Sequence, residues 1–181
     1  EAGHALITLM LPKETDPLHK VTITPRGKAL GVTHSLPERE KYNSTRDEML
    51  ARITMALGGR VAEELIFAQL TTGAYSDFVT ATNIARKMVC KYGMSDEVGL
   101  AVYSQEYGEY SYSQKTAEKI DAAVSKITSD CYERAKDIIL TNRDKLDKLA
   151  SALLEKETMY AGEIYELLGI EPRQDLRLTK S

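Results

Sequence analysis

Several features that mark common protein classes are scarce in this chain of 181 residues. Its two cysteines, Cys90 and Cys131, are too few for a disulfide framework, and neither lies in a C-x-x-C pair suited to zinc or redox chemistry. The 24 basic side chains are balanced by 27 acidic ones without a basic cluster, which argues against nucleic-acid binding. We therefore expect a weakly acidic domain in reducing surroundings.

Long apolar segments, repeats and nucleotide-binding loops are also missing. The longest mainly apolar run, 5–11, is far shorter than the roughly 20 residues of a membrane-spanning helix. No G-x-x-x-x-G-K-S/T loop occurs, so ATP binding is not expected of this chain. With 43% hydrophobic and 28% charged residues, the composition is typical of one soluble globular domain.

The patterns that are present are mainly helical. Residues 1–11 predict a short buried helix that ends before Pro12. Alternating apolar and polar residues at 21–24 predict a strand, and 30–36 an extended partner. We therefore expect a mainly α fold with a small β-sheet or hairpin near the N-terminus.

Helical signals dominate the rest of the chain. Thr45 and Glu48 have the spacing of a capping box and open an apolar periodic stretch. Gly58 and Gly59 interrupt that stretch and predict a close backbone approach or a kink, because each glycine costs about 1 kcal/mol relative to alanine. Further helices are predicted from Ser76 to about Tyr92 with Gly93 as the stop, from Ser113, around 146–153, and around 164–168 before Gly169.

Two segments lack such signals. One contains four tyrosines among serine, glycine and glutamate, and it predicts a mobile surface loop. Its tyrosines are Tyr103, Tyr107, Tyr110 and Tyr112. The other begins at Glu171, is polar, and predicts a frayed tail.

The most chemically suggestive residues are the first four, Glu1-x-x-His4. They match the last four positions of H-E-x-x-H, in which two histidines four apart on one helix face bind zinc. The glutamate then accepts a proton from zinc-activated water. The first histidine would precede Glu1, and we expect the chain, which begins without methionine, to be a piece of a longer protein. An ordinary packed helix histidine also explains His4.

Six further blocks follow in a fixed order. They are Val21-Thr22-Ile23-x-Pro25-Arg26-Gly27, Ala29-Leu30-Gly31, Gly58-Gly59-Arg60-Val61-Ala62-Glu63-Glu64, Thr72-Gly73-Ala74-x-x-Asp77, Ala81-Thr82-x-Ile84-Ala85 and Tyr92-Gly93-Met94-Ser95. Together with the first motif, they resemble the peptidase domain of the FtsH-type AAA+ zinc metalloproteases, peptidase family M41. The resemblance covers 1–169, which it implies to be a zincin-like zinc metallopeptidase domain, and leaves 170–181 as a polar C-terminal tail.

The resemblance also implies site residues. Glu1 corresponds to the catalytic base, and His4 and Asp77 correspond to Zn²⁺ ligands, with the first histidine ligand lying before residue 1. Asp77 is also explained as a first-turn residue that interacts with the helix dipole. His19 and His34 are poor zinc candidates.

Two neighbouring features leave alternatives open, and two others depart from the family. Glu63 or Glu64 is expected either to orient a ligand histidine or to be an ordinary solvated charge. The strand at 21–24 or its partner is expected either to offer an edge to an extended substrate or to form an ordinary hairpin. The connection 68–70 is shorter than in the family, which raises doubt about the loop that leads to Asp77. Tyr160 replaces a helix-capping aspartate, at a cost of about 1 kcal/mol.

For the whole protein, the resemblance implies an ATP-dependent protease that degrades misfolded or tagged membrane and soluble proteins. Unfolded polypeptides would be its substrates and a homo-hexamer its assembly. Preceding segments would anchor it in a membrane, and a separate AAA+ module would bind ATP and Mg²⁺. We expect a bacterial inner membrane with the peptidase domain on the cytoplasmic side; a mitochondrial or chloroplast membrane is the alternative.

A non-catalytic, hexamer-forming scaffold domain is the rival interpretation. The residue that precedes Glu1 discriminates between the two, because a histidine there completes the zinc motif and a non-ligand residue does not.

The motif gives a first prediction. Placing a histidine directly before Glu1 is expected to raise both zinc affinity and casein hydrolysis relative to the 181 residues alone, because it adds the second imidazole to the same helix face. Zinc titration and a casein assay on both forms check this. Equal affinity and activity in the two forms would contradict the assignment of the motif.

Overall fold

The computed structural model describes residues 1–25, 31–37, 43–103 and 112–173. Helices and short strands make up this part of the chain, as the sequence predicts. The helices are α1 (Ala2–Met10), α2 (Arg46–Phe67), α3 (Tyr75–Cys90), α4 (Gln114–Thr141), α5 (Arg143–Lys156) and α6 (Ala161–Leu168). The strands are β1 (Leu18–Thr22), β2 (Val32–Ser35) and β3 (Thr158–Tyr160). The mainly α prediction with a small sheet is confirmed.

The three strands form one antiparallel sheet in the order β2-β1-β3. Val21 of β1 lies opposite Thr33 of β2 on one side and Met159 of β3 on the other. The first strand therefore begins earlier than predicted and is the central strand, so of the two strands expected to offer an edge it is not the one that does. Its partner β2 does lie at the edge. No sequence pattern predicts β3, since three residues between two helices are too few to show an alternating pattern.

Helix starts follow capping chemistry at two of three predicted places. The Thr45 hydroxyl accepts the Glu48 N–H at 3.2 Å, and the Glu48 carboxylate accepts the Thr45 N–H at 3.0 Å, which confirms the capping box. The Ser113 hydroxyl caps α4. Ser76 is not a cap, because a 3₁₀ turn at Thr72–Ala74 runs directly into α3 and places Ser76 inside its first turn.

Helix ends also follow local backbone preference. Gly93 and Gly169 have φ values of +59° and +63°, and these left-handed conformations terminate the helical segments as expected. Tyr160 precedes α6 and makes no side-chain cap for it, but its N–H donates to the Glu163 carboxylate at 3.0 Å. This bond from the backbone to Glu163 is one of the two hydrogen bonds of a capping box, and it offsets the loss of the aspartate cap.

The hydrophobic core is organised around α2, which packs against α1, α3 and α4. A second group of apolar side chains joins α1, the sheet, α5 and α6. The largest fully buried side chains include Leu6, Ile7, Ile53, Met88, Ile120, Ile139, Leu149, Leu153, Met159 and Ile164. Helix α1 contributes to both groups and is buried over most of its length, as its apolar sequence predicts.

Glycines allow α1 and α2 to touch backbone to backbone. A Cβ built on Gly3 would lie 2.4 Å from the carbonyl oxygen of Gly58, and one built on Gly58 would lie 2.6 Å from Ile7 Cδ1. Helix α2 nevertheless continues through Gly58 and Gly59. The predicted close approach is therefore confirmed.

The tyrosine segment and the tail are only partly described. Tyr103 and Tyr112 form an edge-to-face pair with ring centroids 5.8 Å apart and pack against the core, so the two ends of the predicted surface loop are anchored. Tyr107 and Tyr110 lie outside the described residues. In the tail, Arg173 donates to the Thr15 carbonyl at 2.6 Å, which contradicts fraying up to that point. Within the described ranges, none of the helices combines the length and apolar character of a membrane span.

The glycine contact predicts a stability difference. Gly3→Ala is expected to lower the free energy of unfolding by about 1–3 kcal/mol, because its methyl group would overlap the Gly58 carbonyl and force a backbone shift. Gly162→Ala is the control, since a Cβ there meets nothing within 4 Å and should stabilise helix α6 by about 0.5–1 kcal/mol. Urea unfolding of both variants measures the difference. Equal effects would contradict the close approach.

Candidate active site

A cleft of about 500 Å³ opens beside the first turn of α1. One end is polar and holds Glu1, His4 and Asp77. The other end is walled by apolar residues of α2 and α5, among them Ile66 and Leu154. The side chains that the sequence assigns to catalysis and metal binding, distant in the chain, thus face one space.

His4 is held at both ring nitrogens. Its Nδ1 lies 2.8 Å from the Met55 carbonyl oxygen, and its Nε2 lies 3.5 Å from Asp77 Oδ2. Because a carbonyl only accepts, Nδ1 carries the proton and Nε2 points toward Asp77. This is the way metal-binding histidines are usually oriented, with the second nitrogen donating to a backbone carbonyl or carboxylate.

The spacing of these two atoms suits a zinc ion. Ligand bonds of about 2.0–2.2 Å at a tetrahedral centre place neighbouring nitrogen and oxygen atoms about 3.4 Å apart. The observed 3.5 Å between His4 Nε2 and Asp77 Oδ2 agrees with that value and is long for a direct hydrogen bond. Within the described residues, no group of three histidine, cysteine, aspartate or glutamate side chains could hold a metal.

Electrostatics favour a cation at this position. Burial by itself lowers the pKa of His4, but the contact with the Asp77 carboxylate and the hydrogen bond to the Met55 carbonyl outweigh burial, so the pKa is raised above its ordinary value of 6.5. A zinc ion would have to replace the proton on Nε2, so zinc affinity should fall as the pH is lowered.

Gly59 of α2 makes room for the His4 ring. A Cβ at Gly59 would lie 2.5 Å from His4 Nε2 and 2.8 Å from Cε1. Any larger residue would push the imidazole away from Asp77. The two glycines therefore make different contacts. Gly58 lies against the backbone of α1, and Gly59 lies against the His4 ring.

The loop that brings Asp77 to His4 is short but well anchored. Arg60 donates at 3.0 Å to both the Glu63 carboxylate and the Thr71 carbonyl, and the Thr71 hydroxyl donates to Glu63. The Arg60 guanidinium also lies 5.4 Å from the Phe78 ring centroid. The doubt raised by the shortened connection is resolved, because Asp77 still reaches the histidine.

Glu63 and Glu64, the two glutamates expected to orient a ligand histidine, do not contact His4 in the described structure. Glu63 holds Thr71, and the hydrogen bond from that hydroxyl is the main reason why the pKa of Glu63 is lowered. Glu64 accepts a hydrogen bond from Tyr132, and burial together with this bond raises the pKa of Tyr132 to about 12. The group that orients His4 is the Met55 carbonyl, which sequence reasoning missed because a main-chain oxygen has no residue signature.

Glu1 lies at the N-terminal end of α1 and contacts the sheet. Its Oε2 accepts the Thr33 hydroxyl at 2.7 Å. His19 and His34 do not line the cleft; their rings lie 5.9 Å apart, edge to face, on the sheet. The structure thus groups Glu1, His4 and Asp77 and separates the other two histidines from them.

The domain is mainly helical, and its buried first helix presents Glu-x-x-His beside an aspartate. This is the architecture of a metallopeptidase. The family described as Peptidase family M41 matches residues 1–167, and the chain belongs to this family.

Individual relatives of the chain support the same family assignment. The chain is 45% identical over 179 residues to "ATP-dependent zinc metalloprotease FtsH" of Akkermansia muciniphila, covering 93% of this chain and 22% of that protein. Proteins of the same name from Thermobaculum terrenum and Bacillus subtilis are 46% and 45% identical, covering 96% and 93% of the chain and 28% of each relative. The chain therefore spans about a quarter of the length of these relatives.

The His4 contacts predict a pH-dependent stability. In the zinc-free protein, Asp77→Asn is expected to lower the pKa of His4, because the charged acceptor is removed. A raised folded-state pKa stabilises the fold below pH 6.5, and this stabilisation is lost as the pH rises through the folded-state value. The gap in unfolding free energy between wild type and variant should therefore be largest in acid. NMR titration of His4 and urea unfolding measure both effects.

Asp130→Asn provides the control, since Asp130 pairs with Lys126 on the surface of α4. A His4 pKa that responds equally to both substitutions would contradict the contact with Asp77.

Proposed function

We propose that this chain is the proteolytic domain of an ATP-dependent zinc metalloprotease and that it hydrolyses peptide bonds. The main observation in support of this proposal is the 3.5 Å distance between His4 Nε2 and Asp77 Oδ2 in the cleft that Glu1 also lines. Membership of the peptidase family and the names of the relatives, which are zinc metalloproteases, support the same reaction.

The residues fit zinc. His4 and Asp77 would hold the ion together with a histidine before Glu1, and their spacing and the hydrogen bond that orients His4 suit it. When bound, zinc supplies Lewis-acid polarisation of the scissile carbonyl and lowers the pKa of a water molecule.

The chain's own groups perform the proton transfers. The Glu1 carboxylate accepts a proton from the attacking water and passes it to the nitrogen of the leaving amine. The Met55 carbonyl keeps the proton of His4 on Nδ1, so that Nε2 stays a lone-pair donor. Asp77 contributes a negative charge that is anchored through the Arg60, Glu63 and Thr71 contacts.

The substrates proposed are unfolded polypeptides, including misfolded or tagged membrane and soluble proteins. The apolar wall of the cleft supports this class, because Phe67 and Leu154 line the same cleft and are 68% and 76% exposed. Apolar side chains that a folded protein would bury can rest against these two residues. The edge strand β2 can pair with an extended substrate.

Assembly and location extend this proposal. A homo-hexamer, anchoring by membrane segments and a separate AAA+ module with ATP and Mg²⁺ fit a chain that spans about a quarter of its relatives. The proposed location is the bacterial inner membrane with this domain on the cytoplasmic side. A mitochondrial or chloroplast membrane is the alternative.

Two substitutions test the reaction in the complete protein. Glu1→Gln should lower casein hydrolysis at least about 100-fold with zinc content unchanged, because it removes the proton acceptor and no ligand. Asp77→Ala should lower both zinc content and activity. Metal analysis and a fluorescent casein assay measure these effects.

The matched control is Asp130→Ala, which removes an exposed carboxylate of α4 and should change neither zinc content nor activity. Stoichiometric zinc in Asp77→Ala would remove Asp77 from the ligand set, and an active Glu1→Gln would exclude Glu1 as the base.

A further inference from the structure

We propose that Thr33 is a positioning residue that holds the Glu1 carboxylate in place for proton transfer. The Thr33 hydroxyl donates to Glu1 Oε2 at 2.7 Å and also lies 3.3 Å from the Glu1 carbonyl oxygen. The inference rests on the proposed function, since it concerns the same proton acceptor. It assigns a role to the edge strand β2, which carries none of the side chains of the zinc motif.

Glu1 needs an external anchor because of its place in the chain. It occupies the N-cap position of α1, and its side chain makes no capping bond to that helix. A glutamate side chain has several rotatable bonds, so it does not keep one position without a partner. A general base must lie within hydrogen-bond reach of the proton it removes, and a misplacement of 1 Å can cost about 100-fold in rate.

Gly31 confines the same side chain from a second position. A Cβ at Gly31 would lie 2.7 Å from Glu1 Cγ and 2.9 Å from Glu1 Oε1. Residues two apart on extended backbone face the same side, so Gly31 and Thr33 both face Glu1. One provides space for the side chain and the other provides a hydrogen-bond donor.

The sheet keeps the donor in register. Thr33 lies opposite Val21, which is fully buried and is flanked on its other side by Met159. A one-residue slip of β2 would turn Thr33 to the opposite face of the sheet, away from Glu1. The Thr33 hydroxyl therefore belongs to a strand that is held in register by the sheet, as a positioning residue requires.

The test compares Thr33→Val with Thr33→Ser in the complete protein, using a fluorogenic peptide. Valine keeps the shape and strand preference of threonine but removes the hydroxyl, so kcat should fall about 10-fold or more, with KM within about twofold. Serine keeps the hydroxyl and should retain kcat within about threefold of wild type. Zinc content and melting temperature, measured on each variant, should stay at wild-type values.

A second matched pair, Thr33→Ser against Thr33→Ala, differs only in the hydroxyl and repeats the test if valine prevents folding. A kcat that is equal in the presence and absence of the hydroxyl would overturn the inference. Glu1→Gln, run in parallel, separates the two proposals. If it is inactive while Thr33→Val is fully active, the role of Thr33 is wrong and the proposed function stands. If it is active, Glu1 is not the base and the inference about Thr33 fails with that assignment, whereas a wild-type protein that cleaves no peptide would overturn the proposed function itself.

Discussion

The direct contact between α1 and α2 is the constraint on which the rest of the structure depends. Gly3 and Gly58 have no Cβ, so the backbones of two buried helices meet, and Gly59 leaves space for the His4 ring one residue further on. That ring can then reach the Met55 carbonyl of α2 as well as Asp77 of α3. A wider helix separation would lose the core contact and the site geometry together.

The site is consequently a product of packing between elements. Helix α1 supplies His4, α3 supplies Asp77, and the end of α2 fixes the loop between them through Arg60 and Glu63. The Met55 carbonyl accepts a hydrogen bond from His4, and the Thr33 hydroxyl donates one to Glu1, so both side chains have a partner beside the open cleft.

Much of this organisation could be predicted from the sequence. Helix positions followed from apolar periodicity and from local caps such as Thr45, and the grouping of Glu1, His4 and Asp77 followed from the resemblance to a family. The rest depends on tertiary contacts without a sequence pattern. A carbonyl such as Met55, a cross-strand hydroxyl such as Thr33 and a three-residue strand acquire their roles only when distant segments pair.

The central position of β1 has a consequence for synthesis of the chain. Both β1 and β2 are synthesised early, but a hairpin of two strands is only marginally stable on its own. The third strand begins at Thr158, whose hydroxyl lies 2.7 Å from that of Thr22. The sheet beside Glu1 therefore gains its full support only when nearly all of the domain has left the ribosome, which delays assembly of a proteolytic centre until the surrounding fold exists to confine it.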